Sequence, residues 1–144
     1  MAGQELPRLT RFPDWPERLA AFVEDRRAAT FEWGRNDCCT FISDVALLLT
    51  GSDPMAQLRG SYADEAGAEA VLCGQALDDY VGARLEEWGA TEIPALMAGR
   101  GDIVTARPGN HLMCGVCIGP QLVLPGEARL VFVPARLALR CWRY

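Results

Sequence analysis

Trp33-Gly34-Arg35-Asn36-Asp37-Cys38-Cys39-Thr40-Phe41 is the stretch on which the fold turns. Asn36 or Asp37 can cap a helix that begins at Cys38, because short polar side chains accept hydrogen bonds from the free amides of a first helical turn. Beyond the cap, Cys38, Ile42, Val45 and Leu49 recur at helical spacing with Phe41 and Leu48 beside them. The helix from Cys38 to Leu49 is therefore expected to be buried on most sides and to stop at Gly51. A thiol in such a first turn meets unpaired amides and the positive end of the helix dipole, which stabilise a thiolate and lower its pKa. Cys38 and Cys39 can equally be small buried apolar residues, the commoner fate of a free cysteine.

Upstream, a helix is expected from about Trp15 to Ala28, with Pro16 and Glu17 in its first turn and an apolar stripe of Trp15, Leu19, Phe22 and Val23. Residues 1–13 read as an extended arm. Downstream, Asp53-Pro54 restarts a short helical turn, and Arg59-Gly60-Ser61-Tyr62 reads as a loop. Asp64–Cys73 and Gln75–Trp88 form two helices punctuated by Gly74 and Gly89. After Gly99 the pattern changes to short β-rich runs at 101–105, 111–118, 121–124, 129–133 and 140–144, separated by Gly and Pro. These predict one antiparallel sheet, and with the preceding helices an α+β domain in which a helix packs on a C-terminal sheet. The chain is expected to be a single domain over 1–144, with no internal repeat.

Composition narrows the class. Half the residues are hydrophobic and 23% are charged, the balance of a globular domain, and 144 residues can bury a core without disulfides or metals. A net charge of −5 and a pI near 4.9 argue against a nucleic-acid partner, which calls for a basic face. The longest apolar run, Val45–Leu49, falls far short of the roughly 20 residues that cross a bilayer, and Met1–Pro7 lacks the pattern of a secretory leader. Synthesis in the cytoplasm, with the six cysteines reduced and no disulfide framework, is the expectation. All 14 basic residues are Arg.

The motif Trp33-Gly-x-x-Asp-Cys38-x-x-Phe41 ahead of an apolar helix resembles the nucleophile motif of NlpC-type peptidases, which have a papain-like fold. Gly101-Asp102-Ile103-Val104 is similar to the strand that precedes the histidine strand in that class. Gly115-Val-Cys-Ile-Gly119 is similar to the run that follows the histidine. More narrowly, the chain resembles a phage tail-module family of unknown function. That resemblance rests on Trp33-Gly-x-x-Asp-Cys-Cys-Thr-Phe41, Asp53-Pro54, Arg59-Gly60-Ser61-Tyr62, Arg100–Val104 and Cys141-Trp142-Arg143. The NlpC-type resemblance implies a nucleophile at Cys38, and His111, the only histidine in the chain, is the candidate to assist it. The register of the motif favours Cys38, and a shift of one residue would make Cys39 the candidate. In the peptidase pattern, however, the base falls at Met113, two residues or roughly 7 Å along a strand from His111. The residue that orients the base falls near Val123 or Leu124, both apolar. His111, after Pro108-Gly-Asn, reads equally as an exposed hairpin end.

Three functions follow as expectations. The first is a structural tail-tip or tail-assembly component with a degenerate site, in contact with other tail-tip or tail-hub proteins and located in the virion tail. The second is a cysteine amidase or endopeptidase on peptidoglycan, acting through Cys38 and His111. The third is a metal-binding hub using several cysteines, for which Cys114-x-x-Cys117 is the attraction. Residues three apart on a strand face opposite sides, which argues against it. No cofactor or metal is expected. Trp33, Trp88 and Trp142 read as packing aromatics, Asp78, Asp79, Glu86 and Glu87 as a solvated helix face, Asp102 as a cap or an Arg partner, and Trp142–Tyr144 as a contact segment.

Overall fold

The computed structural model describes residues 9–144, so most of the expected N-terminal arm lies outside the described residues. Helix α1 (Trp15–Arg26) starts with Pro16 in its first turn and buries Leu19, Phe22 and Val23. Helix α2 (Cys38–Thr50) buries Phe41, Ile42, Val45 and Leu49 and ends where Gly51 takes a left-handed conformation, φ 79°. Phe12 N–H closes its last turn by donating to the Leu49 carbonyl at 2.7 Å. Helices α3 (Glu65–Leu72) and α4 (Leu77–Trp88) follow, then strand β1 (Thr91–Ile93). Sequence alone does not announce β1, because three residues carry no readable alternation and its strand partner, at Arg140–Arg143, lies far along the chain.

Strands β2 (Ile103–Ala106), β3 (Met113–Cys117), β4 (Gln121–Pro125) and β5 (Leu130–Pro134) form the expected antiparallel meander. Strand β6 (Arg140–Arg143) then returns between β1 and β2, giving the order β1-β6-β2-β3-β4-β5 with every pairing antiparallel. The fold is α+β. Because β6 is an inner strand, Trp142 is fully buried, in keeping with its reading as a packing aromatic, and it is not available to the Trp142–Tyr144 contact segment, of which Arg143 remains exposed.

Helices α1, α2 and α4 pack with one face of the sheet in a core that holds Phe41, Ile42, Val45, Leu85, Val116 and Trp142. The other face buries Val104, Ala106, Cys117, Leu122, Leu124 and Cys141. Two 3-10 turns pack against that second face, at Ala95–Met97 and Ala135–Leu137, each preceded by a proline and followed by an alanine that packs on it. The ends of the described chain are tied together at Asp102, which is 1% exposed. Arg143 donates to it from Nη2 and Nε at 2.8 and 3.1 Å, Gly99 N–H donates at 2.8 Å, and Arg11 lies at 3.6 Å. The Arg-partner reading of Asp102 is thus the observed one. Among the described residues no helix is long and apolar enough to cross a membrane.

Candidate functional site

Asp37 builds the site. Its Oδ1 accepts from Thr40 N–H at 2.9 Å, and its own N–H donates to Thr40 Oγ1 at 2.8 Å, a reciprocal cap that fixes the start of α2 at Cys38. Its Oδ2 accepts from Gly34 N–H at 2.8 Å and from the Tyr62 hydroxyl at 2.6 Å. The carboxylate is thereby satisfied while only 2% exposed. Gly34 must be glycine: its φ is +80°, and a Cβ there would lie 2.2 Å from the Tyr62 carbonyl oxygen. Gly60 N–H donates to the Gly34 carbonyl at 3.1 Å, so the Arg59–Tyr62 loop is clamped against the turn that precedes Cys38.

The remaining motif residues brace the same loop. Arg59 Nε donates to Asp53 at 2.7 Å and its Nη1 to Asp44 on α2, and Asp44 also accepts from Arg26 of α1 at 2.8 Å. Asp53 in addition accepts from Met55 N–H at 3.0 Å. Residues scattered from 26 to 62 in sequence therefore converge on α2, Arg26 and Arg59 through Asp44 at mid-helix and Gly34 and Tyr62 through Asp37 at its start. Tyr62 belongs to the site although its spacing gives no sign of it; the signal was its place in the Arg-Gly-x-Tyr segment.

A cleft of about 700 Å³ opens at this end of the molecule. Cys38, half-buried, lines it, and so do Tyr62, Trp33, Met113 and His111. Cys39 also touches the cleft but is only 7% exposed and packs in the helix-side core, so Cys38 is the more accessible thiol. Burial pushes the Cys38 thiol up to about 12 from 9.0; a backbone hydrogen bond with Cys114 opposes this, and the Asp37 charge adds to it. The expected lowering by the helix terminus does not prevail. A dipole contribution of about 0.3–1 kcal/mol is under one pKa unit, whereas desolvation of a buried group is worth up to about 3–5 units. At neutral pH Cys38 is a thiol.

His111 stands outside β3. A 3-10 turn at Pro108–Asn110, with positive φ at Gly109 and Asn110, delays the strand to Met113, so the expected strand from 111 to 118 is shortened and His111 is exposed at its approach. The structure brings His111 and Cys38 to one cleft but gives them no hydrogen bond to each other. Met113 is half-buried, and Val123 and Leu124 are fully buried on opposite faces of the sheet. Cys114 and Cys117 likewise belong to opposite faces, and no group of three or more His, Cys, Asp and Glu among the described residues can hold a metal. Asp78 and Asp79, read as part of a solvated helix face, also pair with Arg140 at 3.4 and 2.9 Å.

A family model described as a domain of unknown function (DUF6950) matches residues 10–144, and the chain belongs to that family. No curated protein and no solved structure matches it.

Proposed function

We propose that this DUF6950 member is a papain-like, NlpC-type scaffold that serves as a structural component of a phage tail tip, with its nucleophile position kept as a packed thiol. The resemblance of its motifs to tail-module proteins supports the setting. The state of Cys38 supports the loss of hydrolysis. A thiol attacks as its thiolate, and a base must stand within hydrogen-bond reach to take its proton. Cys38 is held in the protonated form by burial, and the strand position that would carry the base is Met113. The cleft then acts as a binding surface.

One observation favours a second reading, a cysteine amidase or endopeptidase on peptidoglycan: Cys38 and His111 line the same cleft. The two readings separate in a tail-producing phage that carries Cys38→Ala or His111→Ala. The structural reading predicts normal particle numbers and unchanged infectivity for both variants, and no release of soluble fragments from purified peptidoglycan by the wild-type protein. Normal particles with lost infectivity, together with Cys38-dependent fragment release, would establish the hydrolase instead.

A further inference from the structure

We infer that the Cys38 cleft is the seat for an extended segment of another protein that carries basic side chains among apolar ones. This rests on the reading of the cleft as a binding site rather than a hydrolytic one.

The charges around the cleft are one-sided. Asp37, Glu65, Glu69 and Glu127 line it, whereas no arginine among the described residues does. Asp37 is consumed by its bonds to Gly34, Thr40 and Tyr62. Glu65, Glu69 and Glu127 are exposed and form no ion pair among the described residues. Glu65 and Glu69 stand one helical turn apart on α3, and Glu127 stands in the β4–β5 connection, so carboxylates come from two separate elements bordering one space. Such a field favours a cationic partner and selects against an anionic one.

Between those carboxylates the walls are apolar. Val71 and Leu72 of α3 are half-buried and face the cleft with Leu58 and Met113. No residue of α3 is fully buried, so its apolar side is only partly covered by the rest of the described residues. A helix ordinarily completes the burial of that stripe against a neighbour. An occupant that lays apolar side chains against Val71 and Leu72 and points basic ones at Glu69 and Glu127 supplies both missing contacts. At about 700 Å³ the space lies within the roughly 300–1,000 Å³ typical of ligand clefts, enough for a few side chains of a peptide.

The test uses a fluorescein-labelled eight-residue peptide of alternating leucine and arginine, blocked at both ends, titrated into the full-length protein and followed by anisotropy. Saturable binding is expected. It should weaken roughly tenfold in the Glu69→Gln/Glu127→Gln double variant, at about two- to fivefold per exposed charge pair. An arginine–glycine peptide should bind more weakly, a leucine–glutamate peptide should not bind, and the bound leucine–arginine peptide should slow modification of Cys38 by N-ethylmaleimide. Absence of saturable binding, or binding that ignores the double substitution and leaves Cys38 unprotected, overturns the docking proposal while the non-hydrolytic reading stands. Cleavage of the peptide by wild type but not by Cys38→Ala, read by mass spectrometry, would overturn the non-hydrolytic reading instead.

Discussion

Tyr62 shows why a motif can persist without chemistry. Its hydroxyl supplies one of the bonds that hold Asp37, and its backbone carbonyl sits where a side chain on Gly34 would go. Its own ionisation is pushed to higher pH, first by burial and then by the bond to Asp37, so it remains a donor at neutral pH. Tyr62→Phe removes that donor and leaves Asp37 Oδ2 with only the Gly34 amide. A buried acceptor that loses a partner costs about 1–3 kcal/mol, so the urea midpoint should fall with the fold intact. An unchanged midpoint would mean that water replaces the hydroxyl and that Tyr62 is not a structural member of the site.

At the level of helices and strands, the parts that could be read from sequence are those set by local chemistry. The α2 cap and stripe were legible because Asp37, Thr40 and the apolar spacing lie within one helix, and the β2–β5 meander because Gly and Pro punctuate it. The position of β6 was not, since its neighbours β1 and β2 are distant in sequence and nothing in Arg140–Arg143 says which strands it will join. The approach to β3 was misread because Asn110 adopts positive φ, a choice its neighbours do not dictate. Of the two readings open for Cys38, burial prevails over the helix terminus, and only the packed fold decides between them, because the helix terminus is visible in the sequence whereas burial is not. Where α4 meets β6, a Cβ on Gly82 would lie 2.8 Å from Trp142 Cζ2. Gly82→Ala gains up to about 1 kcal/mol of helix propensity, but overpacking a fully buried ring costs about 1–3 kcal/mol. The variant should be less stable in chemical denaturation and show an altered near-ultraviolet signal from Trp142. A higher midpoint would contradict the close approach.

Across the domain as a whole, buried thiols tie stability to pH. Burial raises Cys38 and Cys141 to about 12 from 9.0, and also raises Cys39 and Cys114. The unfolded chain loses these protons as the pH passes about 9 while the folded chain keeps them. Stability from this source is therefore complete below pH 9 and is lost as the pH rises toward 12. Melting temperature measured from pH 7 to 11 should hold and then fall above pH 9, with a shallower fall in Cys38→Ala. A melting temperature that rises through that range would contradict the assignment of protonated buried thiols.

The most direct test is the pH dependence of Cys38 alkylation by iodoacetamide, read by mass spectrometry, in the wild type and in His111→Ala. A packed thiol predicts slow reaction at neutral pH, an apparent pKa above the ordinary value of about 8.5, and no change on removal of His111. An apparent pKa below that value which rises when His111 is replaced would show a coupled cysteine–histidine pair and contradict the structural role proposed for the cleft.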